Sequence, residues 1–216
     1  SQDTTFKVSK MAKELKLPLT CIGIPKTVDN DLPITDCSPG FGSVAKYVAT
    51  STLEAGLDVK SMSETSTKVF ILEVMGRHAG WIAAASALAS TNETDPPHII
   101  LMPEVSFVKK KFIDKVKQTV ANEGFCVVVA SEGTRYKNGM FLADSGLTDA
   151  FGHKQLGGVA PVLAQMISSI GLKNHWAVSD YLQRSARHIS SKTDLDQAYA
   201  VGKKAVEFAL AGKNAV

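Results

Sequence analysis

The stretch KVFILEV, residues 68–74, is a continuous run of β-branched, aliphatic and aromatic side chains. A strand buried on one face alternates in polarity, whereas a strand buried on both faces is apolar along its whole length. We therefore predict a doubly buried strand at 68–74. The run FCVVVAS (125–131) has the same character, and HIILM (98–102) predicts a strand that Pro103 ends.

Segments with helical spacing separate these strands. Further strands are predicted at LTCIGI (19–24) and HWAVSDYL (175–182). The predicted helices cover residues 3–16, 40–59, 79–90, 107–122, 158–171 and 193–212. Because strands alternate with helices and lack a polar face, we predict an α/β fold, with a mostly parallel sheet and helices on both faces.

Length and charge narrow the class of protein. The chain has 216 residues, 44% of them hydrophobic, which is enough for one large domain or two small lobes. The formal net charge of +3 is too balanced to indicate a nucleic-acid partner or a membrane surface. The longest basic run, Lys109–Lys111, falls on a predicted helix and is interpreted as a solvated face. No apolar run approaches the roughly 20 residues of a membrane span.

Cysteine usage favours a reducing compartment. Cys21, Cys37 and Cys126 are odd in number and far apart, which fits neither a disulfide framework nor a zinc site. Cys21 and Cys126 lie inside apolar runs and are predicted to be small core residues. We expect a cytoplasmic protein.

Four polar segments directly follow predicted strands. In parallel α/β sheets, ligands bind beyond the carboxyl ends of the strands. The segments are PKTVDND (25–31), MGRHAG (75–80), SEGTR (131–135) and YLQRSARH (181–188). The charged residues that they bring to this edge are Lys26, Asp29, Asp31, Arg77, Glu132, Arg184 and Arg187. This mixture predicts a site for an anionic ligand.

A sugar phosphate is a useful test ligand for this site. Its phosphate needs guanidinium groups, which Arg77 and Arg184 supply. Its hydroxyls need acceptors, of which Glu132 is one. A hydroxyl that attacks phosphorus must lose its proton, and Asp29 is placed to accept that proton.

Charge on a transferring phosphoryl group requires cations. Lys26 and a metal ion held near Asp31 are the candidates. Met75-Gly76 lets the backbone approach a ligand closely where a strand turns toward a helix.

Each segment also has a structural interpretation. Asp29 or Asp31 can cap the loop after Pro25, Glu132 can be a turn acid, and Arg77 can be a surface arginine. The histidines lack the spacing of a metal motif, and no nucleophile elbow is present. The shared position of the four segments at strand ends favours a site over these alternatives.

Two long motifs resemble the phosphofructokinase family. They are GIPKTVDNDLP (23–33) and FILEVMGRHAGWIAAASALA (70–89), and ASEGTR (130–135) and DYLQRSARHI (180–189) follow in matching order. The likeness covers essentially the whole chain and is strongest to the branch that uses pyrophosphate. It implies a two-lobed, Rossmann-like architecture of which this chain holds part, a glycolytic role, Mg²⁺ as cofactor, and a homodimer or homotetramer.

The resemblance assigns roles around the transferred group. It implies that Asp29 accepts the proton of the 1-hydroxyl of fructose 6-phosphate and that Thr27 binds the transferring phosphate or the sugar. Met75, Gly76 and Arg77 would contact fructose 6-phosphate, and Arg77 would also face the phosphoryl group.

It assigns further roles to the sugar. Glu132 would bind sugar hydroxyls. The 6-phosphate would be held by Tyr181, Leu182, Gln183 and Arg184, with Arg184 as the guanidinium fork. Tyr181 replaces a histidine of many ATP-using relatives, which is typical of the pyrophosphate branch. His175 replaces an arginine that reaches the neighbouring subunit in those relatives, which puts such a cross-subunit contact in doubt.

The residue at position 26 helps to indicate which phosphoryl donor the family member uses. The usual ATP enzymes have glycine at this position, whereas the pyrophosphate branch has lysine, as do some ATP-using relatives. By the same resemblance, a second position that distinguishes the two donors lies directly before Ser1. The resemblance also implies that the donor-binding glycine loop and the main metal ligand lie upstream of Ser1, with Asp31 at most a water-mediated metal ligand. The expected organisation is 1–35 as donor-lobe remnant, 36–180 as fructose 6-phosphate lobe and 181–216 as a return to the donor lobe.

Three other functions remain open from sequence. One is ATP-dependent phosphorylation of fructose 6-phosphate. Another is a non-catalytic regulatory or sugar-phosphate-binding subunit, against which the presence of Asp29, Thr27 and Arg77 argues. A dehydrogenase fits the strand–helix pattern but would need a GxGxxG motif after a strand, which the sequence lacks.

Overall fold

A computed structural model describes residues 2–148, 154–156 and 158–216. The α-helices are α1 Gln2–Glu14, α2 Phe41–Met62, α3 Trp81–Ala85, α4 Lys109–Glu123, α5 Val159–Ser168, α6 Leu182–Ser185 and α7 Lys192–Leu210. The strands are β1 Val69–Val74, β2 Ile99–Leu101, β3 Cys126–Ser131, β4 Asp144–Thr148, β5 Lys154–Leu156 and β6 Asn174–Val178. Short 3₁₀ turns cover Ser86–Ala89 and Arg187–Ile189. Ser1 lies outside the described residues.

Four parallel strands form the main sheet in the order β2-β3-β1-β6. β1 is therefore central, with Val74 opposite Ser131 of β3 and Glu73 opposite Val178 of β6. Because all four strands run in one direction, their carboxyl ends meet at one edge. The predicted α/β fold with a mostly parallel sheet is confirmed.

Side chains of β1 and β3 point alternately to the two faces of the sheet, and each face has its own hydrophobic core. Val69 and Ile71 join a core with α4 and α5, whereas Leu72 and Val74 face α2 and α3 on the other side. Every residue of β3 is buried, as expected of a strand covered on both faces. Cys126 is fully buried, so it is a core residue as predicted, and this burial raises the pKa of its thiol to about 12.

The prediction of a strand at residues 19–24 is wrong. These residues have no ladder partner among the described strands and instead lie against residues 214–216 at the end of the chain. Gly23 N donates to Val216 O at 2.7 Å, and Ala215 N donates to Cys21 O at 2.9 Å. These two hydrogen bonds are too few to form a strand ladder. Cys21 is only half-buried, so it is not the core residue that was predicted.

Other differences concern element ends. The helix predicted at 79–90 becomes α3 and a 3₁₀ turn, where the Ser86 hydroxyl donates to Ala83 O at 2.5 Å and competes with backbone bonding. β6 stops at Val178 rather than 182 because Asp180, at φ 37°, turns the chain. The β4–β5 hairpin was not predicted, since DSGLT and KQL contain no apolar run.

The basic run Lys109–Lys111 lies exposed on α4. Lys110 pairs there with Asp114 at 2.9 Å, so the interpretation of this run as a solvated face is confirmed. Within the described part of the chain, no helix combines the length and the apolar character that crossing a bilayer requires.

Candidate active site

Hydrogen bonds to the end of β1 bring three polar segments together. Glu132 N, just after β3, donates to Val74 O at 2.9 Å, and Ser179 N, just after β6, donates to Glu73 O at 2.9 Å. The loops that follow β3 and β6 therefore start on either side of Met75. Parallel register thus assembles the edge at which the sequence predicted a site.

The turn after β1 is tightly packed backbone. Gly76 has φ 124°, and a Cβ there would lie 2.4 Å from the carbonyl oxygen of Ala79. The Ser131 hydroxyl donates to the carbonyl of Gly76 and accepts from Gly133 N at 3.1 Å. A Cβ at Gly133 would lie 2.1 Å from the carbonyl oxygen of Arg77. Glycine at both positions thus lets two strand-end loops touch.

Gly133→Ala is expected to destabilise the fold by about 1–3 kcal/mol, because the methyl group would push against backbone that cannot yield locally. The matched control is Gly202→Ala on α7, where an added Cβ meets no atom within 4 Å. Alanine there should leave stability unchanged or raise it by about 0.5–1 kcal/mol. Denaturant unfolding measures both variants, and equal midpoints would contradict the close contact.

Arg77 acts electrostatically on two carboxylates. Burial raises the pKa of Asp29 and the pKa of Glu132, and the Arg77 charge opposes the rise at both. The Arg77 carbonyl accepts from Arg135 Nη2 at 3.3 Å. Its Nε is buried and has no hydrogen-bond partner within the described residues. The backbone of Arg77 is therefore fixed by a hydrogen bond, while its side-chain Nε remains available to donate to a ligand.

Asp29 is half-buried on the loop before α2. Burial raises the pKa of its carboxyl group, and the nearby Asp31 carboxylate raises that pKa further, whereas the charges of Arg77, His78 and Lys26 oppose the rise. Asp29 N donates to Thr27 Oγ1 at 3.1 Å, which closes a small turn. Lys26 is exposed at the start of this turn. The loop thus presents a carboxylate with raised proton affinity near the Arg77 and Lys26 cations.

Glu132 is also half-buried. Burial raises the pKa of its carboxyl group, opposed by the Arg77 charge and the Gly76 backbone N–H, while the Asp29 and Asp180 carboxylates raise it further. These influences place Glu132 near both Asp29 and the segment after β6. The structure thus brings Asp29, Arg77 and Glu132 into one cluster.

The side chains of the segment after β6 point in two directions, some to the surface and one into the protein. Arg184 and Tyr181 are exposed, and the guanidinium carbon of Arg184 lies 4.0 Å from the Tyr181 ring centroid. Leu182 is exposed as well. Gln183 instead points inward, where Oε1 accepts from Met75 N at 3.3 Å and Nε2 donates to Asp180 O at 2.9 Å. Gln183 therefore fixes Met75 rather than presenting its amide at the surface.

Two buried residues near the site were missed from sequence. Asn30, at φ 53°, accepts from Ser38 N at 2.8 Å and donates to Asp36 O at 3.1 Å, which braces the loop before α2. Glu73 accepts from Ala160 N at 2.7 Å, at the start of α5, and burial raises its pKa. The signals were present: an asparagine tolerates this left-handed backbone, and a carboxylate interrupts the apolar run of β1.

Asp31 lines an open groove of about 620 Å³ beside the cluster, together with His78 and Trp81. In the part of the chain that the structure describes, no three histidine, cysteine or acidic side chains are grouped to hold a metal ion. Arg187 and His175 are exposed, Arg187 in the 3₁₀ turn and His175 on the edge strand β6.

Several proteins of known name are similar to this chain. The pyrophosphate–fructose 6-phosphate 1-phosphotransferase of Halomonas elongata is 66% identical over 216 residues, which cover all of this chain and 52% of that protein. Its counterpart from Xanthomonas campestris pv. campestris is 60% identical, with the same shares covered. The crystal structure of pyrophosphate-dependent phosphofructokinase from Marinobacter aquaeolei matches with a TM-score of 0.87 and 62% identity, over 99% of this chain and 50% of that one.

The chain thus spans about half the length of these relatives. A protein-family profile described as phosphofructokinase matches residues 2–209. The strand-end cluster, the matched length and these identities agree, and this chain belongs to the phosphofructokinase family.

Proposed function

We propose that the protein containing this chain transfers a phosphoryl group from pyrophosphate to the 1-hydroxyl of fructose 6-phosphate. The products are fructose 1,6-bisphosphate and phosphate, and the reaction is reversible. The observation that supports this best is the half-buried Asp29 carboxylate, with raised pKa, beside Arg77 and Lys26. The relatives that are 60–66% identical carry this activity in their names.

Asp29 acts as the general base. A carboxyl group whose pKa is raised by burial holds a proton more strongly than an exposed one, and its ionised form is the base. It accepts the proton of the 1-hydroxyl as the oxygen attacks phosphorus. Thr27 supports this geometry, since its Oγ1 accepts from Asp29 N and shapes the turn.

Arg77 and Lys26 offset charge on the transferring group. Both charges act on the Asp29 carboxyl, so both lie near the point of proton transfer. The free Nε of Arg77 is a donor for a phosphoryl oxygen. Fixed cations stabilise the negative charge that phosphoryl transfer spreads over these oxygens.

The sugar lies against the ends of β1, β3 and β6. Glu132 accepts from its hydroxyls, and the Met75-Gly76 backbone packs beside it. Arg184 binds the 6-phosphate, with Tyr181 and Leu182 alongside. Gln183 contributes by holding Met75 and Asp180 in place, because its side chain is buried and bonded to both.

A divalent cation, Mg²⁺ by the resemblance, would supply further charge neutralisation on the phosphates. Asp31 stays the candidate of this chain for an indirect, water-mediated contact, and no step is derived through the ion. The cytoplasmic location and the homodimer or homotetramer likewise stay predictions.

We propose the same three-part organisation as predicted, namely 1–35, 36–180 and 181–216. Contacts between the two ends of the chain support it. Asn214 Oδ1 accepts from Ser9 Oγ at 3.3 Å and from Cys21 N at 2.8 Å. The first and last parts therefore pack on each other, while 36–180 holds the sheet.

The donor is tested by assaying the full-length protein with pyrophosphate and with ATP, each with fructose 6-phosphate. We expect turnover with pyrophosphate and little with ATP. Activity with ATP alone would overturn the donor assignment. Binding of fructose 6-phosphate without turnover with either donor would favour a non-catalytic subunit.

Arg184→Ala is expected to raise the KM for fructose 6-phosphate by ~10–150-fold and to change kcat less. The reason is that a guanidinium on the 6-phosphate binds ground state and transition state alike. Lys204→Ala is the matched control, because Lys204 Nζ also lies over an aromatic ring, 5.3 Å from the Phe208 centroid, on α7. Steady-state kinetics decide, and an unchanged KM for Arg184→Ala would place the 6-phosphate elsewhere.

A further inference from the structure

Asp194, in the first turn of α7, is a buried carboxylate that binds another helix. Its relative exposure is 5%. It accepts from Gly40 N at 2.7 Å, from Ser43 N at 3.3 Å and from Ser43 Oγ at 2.5 Å. The first backbone N–H groups of a helix have no partner within that helix. Asp194 supplies this partner to α2, whose own N-cap, Gly40, has no side chain to do so.

The starts of α2 and α7 are joined in both directions. Ser191, the N-cap of α7, accepts from Asp194 N at 3.4 Å, and Ser191 N donates to Ser43 Oγ at 3.2 Å. The helices also approach closely, since a Cβ at Gly42 would lie 3.2 Å from Asp194 Cβ. One carboxylate and two serines thus form a single network between segments far apart in sequence.

This network reaches the loop that carries Asp29. Gly40 forms a parallel β-bridge with Thr27, and a Cβ at Gly40 would lie 3.2 Å from Val28 Cγ1. Gly40 therefore anchors the loop at the turn that positions Asp29. Asn30 braces the middle of this loop through its bonds to 36 and 38.

Through α7, the same network is also connected to the segment that is proposed to bind the 6-phosphate. α7 directly follows α6 and the 3₁₀ turn, which contain Arg184 and Arg187. Lys46 Nζ, one turn into α2, also donates to Ser190 O at 3.5 Å. The position of α2 relative to α7 thus links the Asp29 loop to the segment that carries Arg184.

We propose that Asp194 is a positioning residue for phosphoryl transfer: by binding the start of α2, it fixes Gly40 and Thr27 and so holds Asp29 at the correct distance from the bound sugar. The inference rests on the proposed function. Asp194 touches no substrate and acts through these backbone contacts.

The test compares Asp194→Asn with Asp95→Asn in the full-length protein. The asparagine amide at 194 places a donor against the Ser43 N–H and hydroxyl, which also donate. Asp95 is a matched control, because its carboxylate likewise accepts from two backbone N–H groups and one hydroxyl, those of Thr91 and Asn92, but lies in the exposed 91–95 loop.

We expect Asp194→Asn to lower kcat about 10–100-fold, since misplacement of a reacting group by about 1 Å costs up to roughly 10²-fold. The KM for fructose 6-phosphate should change less than kcat. Asp95→Asn should alter neither kcat nor this KM.

Hydrogen–deuterium exchange without substrate gives a second measurement that does not depend on the reaction. Faster exchange across residues 27–43 in Asp194→Asn, with the Asp95→Asn protein unchanged, supports the positioning role even if the proposed reaction is wrong. If Asp194→Asn does not fold, Ser43→Ala removes the two hydrogen bonds of the Ser43 hydroxyl, to Asp194 and from Ser191 N, and is measured in the same way. Unchanged kcat and unchanged exchange in the folded variant would overturn the proposal.

Discussion

Asp29→Asn is expected to lower kcat for phosphoryl transfer by ~10²–10⁴-fold with the fold intact, which is the typical loss when a general base is removed. Asparagine has nearly the shape of aspartate but does not accept the 1-hydroxyl proton. The backbone bond from residue 29 to Thr27 Oγ1 does not involve the replaced group. Steady-state kinetics on the full-length protein measure the loss.

The stability of the Asp29→Asn variant should not fall. Burial, followed by the nearby Asp31 charge, raises the pKa of Asp29 in the folded chain above its unfolded value. Such a carboxyl favours folding in its protonated form, and this contribution is lost as pH rises from the unfolded pKa through the folded pKa. Above the folded pKa the charged aspartate therefore costs stability, and the variant should unfold there at the same or a higher temperature.

The pH–rate profile is a second readout for the base. A base works when it is deprotonated, so activity should fall as pH drops through the raised pKa of Asp29. Asp31→Asn removes a charge that raises this pKa and should move the acid limb to lower pH. Asp36→Asn, on the same loop, is the control for kcat. Near-normal turnover in Asp29→Asn would exclude Asp29 and make Asp31 the first candidate for the base.

The sheet could be predicted because its signals are local. An apolar strand such as KVFILEV indicates its own burial, and parallel strands must bring their carboxyl ends to one edge. From the sequence, that rule was enough to predict that Arg77, Glu132 and the 181–184 segment lie at the same edge. The strand predicted at 19–24 failed for the opposite reason, because an apolar run forms a strand only where a partner accepts its hydrogen bonds.

The supporting residues could not be predicted because their partners are distant in sequence. Nothing near Asp194 indicates that it binds Gly40, and nothing near Gln183 indicates that it binds Met75 N. From the sequence alone, a polar residue that is buried cannot be distinguished from one that lies at the surface. The direction of a side chain, inward for Gln183 and outward for Arg184, is set by the tertiary contacts of a four-residue helix.

Lys26→Gly is expected to reduce pyrophosphate-driven turnover by roughly 10²–10³-fold and to leave fructose 6-phosphate binding nearly unchanged. The estimate follows from the loss of about 2.7–4 kcal/mol when one pre-placed donor to a developing charge is removed. Lys26 is exposed, so it is not needed for the core, yet its charge acts on the Asp29 carboxyl. The ammonium group therefore lies within electrostatic reach of the transferred proton.

The control for this substitution is Lys16→Gly. Lys16 is also exposed and in a loop, and its φ of 54° is one that glycine adopts without strain. It should change neither donor kinetics nor sugar binding. Lys26→Gly should in addition shift the acid limb of the rate profile to higher pH, since the Lys26 charge lowers the pKa of Asp29.

Kinetics with pyrophosphate and fructose 6-phosphate varied separately distinguish the two sides of the reaction. If Lys26 stabilises charge on the donor, the loss falls on kcat and on the KM for pyrophosphate, because the sugar contacts of Glu132 and Arg184 lie on other segments. If Lys26 is only a solvated loop lysine, both substrates behave as in the unchanged protein. A loss confined to the KM for fructose 6-phosphate would place the ammonium on the sugar side and remove the structural argument for pyrophosphate that rests on this residue.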